Sequence, residues 1–345
     1  MTTKLKISDF LEQSIGHTVF DVRSPKEFEK GHIPGAINLP LFSDAERAEI
    51  GTLYKQKGRE KAMLRGLEFV GPQMRGFVEK ARTQCKSDRV FLHCWRGGQR
   101  SESMAWLLGF TGLHCFVLEG GYKAFRHFIR ECFSDQKKIA ILGGMTGTGK
   151  TDILLELEKL GEQIIDLEDL AQHKGSAFGG IEVPQTRTQE HFENLLGLAW
   201  RTIDPEKTLW LEDESQRIGN LHIPAEVWQQ MKSSPVFALE MPAALRRERL
   251  IIEYADLDLA ELKTATNRIQ RRLGGLATKQ TLEALNSGDM AQACAILLPY
   301  YDKFYLQGLQ RRDEKQVWQT STATVDPCVN ATLMRDFYYK KIDKF

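Results

Sequence analysis

The chain has 345 residues, 42% hydrophobic and 27% charged, with 47 Lys and Arg against 46 Asp and Glu for a formal charge of +1. This composition excludes a disordered or fibrous polymer, and the length implies about two globular domains. A charge so near neutral excludes nucleic-acid binding by bulk electrostatics, so any such contact must come from local arginine clusters.

The N-terminal stretch MTTKLKISDFLEQ lacks a hydrophobic signal core, and no apolar run reaches about 18 residues, so a cytoplasmic location without a membrane is expected. The cysteines Cys85, Cys94, Cys115, Cys132, Cys294 and Cys328 form no CxxC pair. They are expected to be free thiols, neither a disulfide frame nor a zinc site. No repeat or low-complexity tract occurs, and no segment points to a stable protein partner.

In chain order, residues 17–23 (HTVFDVR) read as a strand ended by the breaker Ser-Pro. Residues 31–40 are a loop feeding a short strand, and residues 87–94 (SDRVFLHC) are a buried strand. Residues 101–110 (SESMAWLLGF) form a helix capped by serine, and residues 115–121 (CFVLEGG) form a strand closed by glycines. This alternation predicts a parallel sheet with helices on both faces. The charged connection 128–138 separates a first domain, 1–130, from a second, 131–345. There, strands are expected at 138–144, 162–169, 208–215 and 235–242. From about residue 243 apolar spacings of three and four predict helices, and the tail adds no motif.

Cys94 follows an apolar strand and enters the loop HCWRGGQRS. Trp95, Gly97, Gly98, Gln99 and Ser101 complete an anion-binding loop at a helix N-terminus, and Arg96 and Arg100 add positive charge. Such surroundings favour Cys94 as a thiolate nucleophile. Cys115, in an apolar strand, reads as core.

The second motif lies in GGMTGTGKT (143–151), where Gly144 to Thr151 have the P-loop spacing between an aliphatic strand and a helix. Backbone N–H groups of Gly144, Met145, Thr146, Gly147, Thr148 and Gly149 would cradle phosphate oxygens. Lys150 supplies charge, and the Thr151 hydroxyl can bind Mg²⁺. A metal-binding carboxylate should end a neighbouring strand; Glu212, Asp213 and Glu214 are candidates and Asp213 is the choice. The same acids would equally end a strand in solvent.

Arg246, Arg247 and Arg249 follow a strand end. Arg268, Arg271 and Arg272 stand at helical spacings that share one face. They are candidate contacts to diphosphate or RNA backbone, though a solvated face paired with Glu248 and Glu261 accounts for them as well. The aromatics of PYYDKFY (299–305) suit base stacking or, more simply, a helix core.

The stretch FDVRSPKEFEKGHIPGAINLP (20–40) resembles the entry signature of rhodanese domains, and HCWRGGQRS resembles their active-site loop. Five residues separate Cys94 from Arg100, one more than in the common sulfurtransferase loop and as many as in Cys-x5-Arg phosphatases. On this loop alone, phosphate and sulfur chemistry both stay open. The order of the two motifs, with IIDLEDLAQHKGSAFGG, LEDESQRIGNLHIP and RIQRRLGG, resembles the tRNA 2-selenouridine synthase family over nearly the whole chain.

That resemblance implies a rhodanese-like parallel sheet domain followed by a P-loop NTPase-like α/β domain with a helical C-terminal part. It implies a selenotransferase whose substrate is tRNA carrying 2-thiouridine at the wobble position. Geranyl diphosphate would alkylate the sulfur, and selenium from selenophosphate, supplied by another enzyme, would then displace the geranylthio group. By the resemblance, Cys94 carries selenium as an S-selanyl group while Arg96 and Arg100 hold the phosphate. The P-loop would hold geranyl diphosphate with Mg²⁺, and Phe178 is a candidate for the geranyl lining. The competing readings are a tRNA sulfurtransferase using ATP, a rhodanese-type phosphatase fused to a kinase-like domain with Glu102 as its acid, and a non-catalytic tRNA-binding scaffold.

Overall fold

Five short strands build the first sheet of the computed structural model, which describes residues 2–173, 186–254 and 257–342. They are β1 (Thr2–Leu5), β2 (Thr18–Asp21), β3 (Ile37–Asn38), β4 (Arg89–His93) and β5 (His114–Leu118). Their order is β1-β5-β4-β2-β3 and every pairing is parallel. The central strands TVFD and RVFLH are almost wholly buried, because helices cover both faces of a parallel sheet. Phe20, Leu92, Met104, Leu108 and Val117 meet in the core between sheet and helices.

The second sheet has β6 (Lys138–Gly144), β7 (Gln163–Ile164), β8 (Thr208–Glu212), β11 (Val236–Glu240) and β12 (Val317–Ser321). A separate antiparallel pair, β9 (Arg217–Ile218) and β10 (Leu221–His222), lies outside it. The order is β12-β11-β6-β8-β7, again all parallel. The strand ending in the P-loop is therefore central, and the strand ending in the acids is its direct neighbour. Trp210 and Phe237 are fully buried against Leu142, Leu154 and Met334. The chain divides into two units, Met1–Cys132 with Glu193–Leu198, and Phe133–Phe192 with Ala199–Phe345.

The helical C-terminal part is present as Ala243–Tyr254, Leu259–Arg268, Gly275–Asn286 and Met290–Leu309. The tail, expected to add no motif of its own, is part of the fold. It supplies β12 as an edge strand on β11, and its helix Pro327–Ile342 brings Ala331, Met334 and Tyr338 into the core. A strand that pairs with a partner some eighty residues earlier shows no local periodicity strong enough to announce it.

Two helices of the first unit were also not expected: Asp44–Lys57 and Arg59–Val70, joined at Gly58. Ser43 caps the first, accepting from the Glu46 N–H while the Glu46 carboxylate accepts from the Ser43 N–H. Apolar Ile50 and Tyr54 on one, and Met63, Leu67 and Val70 on the other, stand three or four apart, the spacing that could have revealed the pair.

Candidate functional site

The Cys94 loop is held by the turn after β5. Tyr122 N–H donates to the Cys94 carbonyl at 2.8 Å, and Lys123 N–H donates to Trp95 at 3.0 Å. Gly97 has φ +64°, and a side chain there would place its Cβ 2.3 Å from the Leu118 carbonyl oxygen. Gly121 has φ +59°, and its Cβ would meet the Cys94 carbonyl oxygen at 2.3 Å. The glycines of CFVLEGG therefore do more than close a strand: only a bare backbone lets the two loops touch.

Cys94 is 4% exposed, and its Sγ accepts from the Ser101 hydroxyl at 3.3 Å. It nonetheless lines a cavity of about 880 Å³, together with Trp95, Arg96, Gly98, Gln99 and Arg100. Arg96 is exposed, and Gln99 opens the helix Gln99–Phe110. Arg100 donates to the Glu27 carboxylate at 2.6 Å. Burial would raise the Glu27 carboxyl, but Arg100 outweighs it and holds the group below its usual value. Cys115 is buried in the core, and burial pushes its thiol up to about 12.

Beneath the loop lies a buried charge cluster built from FDVR and the residue before Cys94. Arg23, fully buried, donates twice to Asp21, once to the Gly31 carbonyl at 2.7 Å, and lies 3.7 Å from the Tyr122 ring centroid. The His93 Nε2 is 3.7 Å from Asp21. Burial drives His93 down to about 4, so it is neutral near pH 7. Burial alone would raise Asp21, but His93 and Arg23 together hold it below its usual value; with His93 neutral, Arg23 is the cation that does so.

At the P-loop, Gly147 and Gly149 have φ +85° and +75°, and Thr148 hydroxyl donates to the Met145 carbonyl at 2.8 Å. Lys150 Nζ donates to the Gly144 carbonyl at 3.1 Å, and the Thr151 hydroxyl to Glu168 at 3.4 Å. Asp213 is not the carboxylate beside this loop: it accepts from Arg312 at 2.7 Å. Glu214 N–H donates to the Glu212 carbonyl at 2.8 Å, so the chain makes a three-residue turn where β8 ends, with Asp213 at its centre. Glu168, Glu212 and Glu214 offer oxygens within 4.8 Å of one another.

Burial pushes the Glu212 carboxyl up to about 7, Lys150 lowering it and Glu168 raising it further. Burial, then Glu168, drives Glu214 well above its usual value. One buried oxygen of Glu212, Oε1, has no hydrogen-bond partner. Crowded, poorly solvated carboxylate oxygens beside a threonine hydroxyl fit a hard divalent cation such as Mg²⁺.

The arginines separate by environment. Arg246 is 3% exposed, binds Asp302 through two bonds at 2.8 Å and donates to the Thr146 and Met241 carbonyls. Its guanidinium is thus bonded to protein partners, and through Thr146 it braces the P-loop. Arg249 donates to Asp152 at 2.5 Å beside Gly149, with its Nε unpartnered. Arg268, Arg271 and Arg272 are exposed, but the helix breaks at Ile269, so they do not share one continuous helical face. Glu102 pairs with Lys4 at 2.7 Å and does not line the Cys94 cavity. Phe178 lies outside the described residues. Among the described residues no helix is long and apolar enough to cross a membrane.

Comparison with known proteins matches both halves of the chain. Residues 7–127 match the family model for rhodanese-like domains, and residues 137–335 match that for the tRNA 2-selenouridine synthase AAA domain. The tRNA 2-selenouridine synthase of Bordetella petrii is 36% identical over 343 residues, covering 87% of this chain and 89% of that protein. Those of Shewanella sediminis and Bdellovibrio bacteriovorus are each 34% identical over 89% of this chain, and the match covers 91% and 92% of those proteins.

Proposed function

The chain belongs to the tRNA 2-selenouridine synthase family, enzymes that act on tRNA, and on that premise we propose that it exchanges the wobble 2-thiouridine sulfur for selenium in two steps. In the first, the sulfur attacks C1 of geranyl diphosphate, the C–O bond breaks, diphosphate leaves and the N3 proton of the base passes to water. The P-loop N–H groups and Lys150 bind that diphosphate, and Arg249 stands close enough to join them. Thr151 with Glu168, Glu212 and Glu214 would hold Mg²⁺, which when bound offsets diphosphate charge.

In the second step, selenium of selenophosphate bonds to C2, the geranylthiolate leaves and takes a proton, and water receives the phosphoryl group as phosphate. Alkylation makes the sulfur a competent leaving group. Arg96 and Arg100 clamp the phosphoryl oxygens, and Cys94 takes selenium as an S-selanyl group. Selenophosphate carries selenium at the selenide level. The S-selanyl form therefore needs a disulfide to accept two electrons, and the thiol pair so formed returns them on delivery, whereas direct attack on C2 needs none.

The observation that carries this reading is the placement of the Cys94 thiol on the wall of a cavity it shares with Arg96 and Arg100. The work belongs in the cytoplasm, with selenophosphate arriving from a separate enzyme. Mass spectrometry of thiolated tRNA, incubated with geranyl diphosphate and then selenophosphate, tests it. The expected products are S-geranyl-2-thiouridine, then 2-selenouridine. Cys94→Ser should stop at the geranylated product; loss of both products in that variant would overturn the division of labour.

A further inference from the structure

The cavity beside Cys94 carries more apolar surface than a small anion needs. Phe42, Ile50, Met63, Leu67 and Val70 form its walls, drawn from the helices Asp44–Lys57 and Arg59–Val70 and the turn before them. Tyr54, Met63 and Leu67 are 59%, 47% and 62% exposed. A solvated helix face is ordinarily polar, and a contiguous apolar wall left open marks a ligand groove. Arg47, Lys55, Arg59, Arg96 and Arg100 also line the cavity; Glu27 pairs with Arg100 and Arg47 from outside the lining, and among the described residues no carboxylate lines it.

The cavity thus joins three features: an apolar wall, a cationic border and a thiol. Selenophosphate would use the thiol and the border and leave the wall empty. What uses all three is an apolar chain attached next to the reacting atom of a polyanion. The geometry points to this cavity as the seat of the geranyl chain of S-geranyl-2-thiouridine in RNA, with C2 of that base brought to Cys94. This assignment rests on the two-step reaction proposed above. The volume of about 880 Å³ lies inside the range of about 300–1,000 Å³ usual for ligands of such size.

Seating the chain here selects alkylated over unalkylated tRNA, because each fully buried methylene is worth about fourfold in binding. It also positions the bond that breaks: as selenium bonds to C2, the C2–S bond opens, and the geranylthiolate takes a proton from water. Selenation then waits for alkylation without any separate signal.

The test uses the full chain and anticodon stem-loop RNAs carrying S-geranyl- or S-methyl-2-thiouridine. Affinity is read by fluorescence anisotropy and selenation by mass spectrometry. The wild type should bind and select the geranyl RNA at least about tenfold over the methyl RNA. The double substitution Met63→Gln and Leu67→Gln, at positions open to solvent and hence compatible with folding, should bring that ratio close to one. Equal affinities in the wild type, or an unchanged ratio in the variant, would overturn the assignment while selenation of either RNA left the proposed reaction standing. Loss of transfer from geranyl diphosphate, with the RNA ratio intact, would also overturn it and give the wall to the diphosphate donor. If the wild type selenates neither RNA, the proposed reaction fails, and the affinity ratio still decides where the chain sits.

Discussion

Replacing His93 by Phe should remove an acid sensitivity built into the support of the Cys94 loop. The imidazole is fully buried among Asp21, Arg23 and His32, and burial lowers it from 6.5 to about 4. Between those values only the unfolded chain takes up the proton, so acid favours unfolding. The stabilisation is complete above about pH 6.5 and is lost as pH falls towards 4. The gap corresponds to about 3 kcal/mol at the acid end, of which roughly 2 kcal/mol is gone by about pH 5. Asp21 stays ionised through this window because it is held below its usual value. Hydrogen exchange of the β4 amides, corrected for intrinsic rate at each pH, reads the opening of the first unit. Subtracting the His93→Phe profile from that of the wild type cancels the titrating groups that do not interact with His93, and leaves its own proton together with its coupling to His32 and Asp21. A difference that does not change between about pH 8 and pH 5 would refute the reasoning.

Lys150→Ala should lower geranylation by about 10²- to 10³-fold, the usual loss for one preorganised charge-stabilising donor, while pre-geranylated tRNA is still selenated; product mass spectra separate the two. Glu212→Gln should weaken the Mg²⁺ dependence of geranylation, measured by titrating Mg²⁺ after chelation, and Asp213→Asn should not. Arg246→Ala should cost about 3–5 kcal/mol in urea unfolding of the second unit, since it leaves Asp302 uncompensated; lost activity at unchanged stability would make Arg246 a ligand contact instead. Gly97→Ala should destabilise the first unit by about 1–3 kcal/mol from the left-handed backbone alone, before its clash with Leu118 is counted, and circular dichroism melting checks it.

The chemistry was legible wherever it is written in consecutive residues. HCWRGGQRS and GGMTGTGKT each combine strand, glycine turn and helix start within about ten positions, because an anion nest is made by neighbouring backbone N–H groups. The metal carboxylates were half legible: the acids at the end of β8 stand out in the sequence, but the turn that closes from Glu214 onto Glu212, and the pairing of Asp213 with Arg312, 99 residues away, do not. The arginines were not legible, since a guanidinium that braces Thr146 and Asp302 from inside has the same local sequence as one that faces RNA.

By itself, then, the sequence determined two parallel α/β halves, a cysteine loop and a phosphate loop, because these depend on local spacing and backbone freedom. Only the tertiary structure decided what surrounds them. It set the glycine contact between Gly97 and Gly121, the buried pair Asp21 and Arg23 beneath Cys94, the three-glutamate cluster, and the apolar wall of two helices beside the thiol. Apart from Asp21 and Arg23, which stand two positions apart, each of these joins residues distant in the chain, and the environment of all of them, meaning burial, neighbouring charge and shape, exists only once the chain has closed around them.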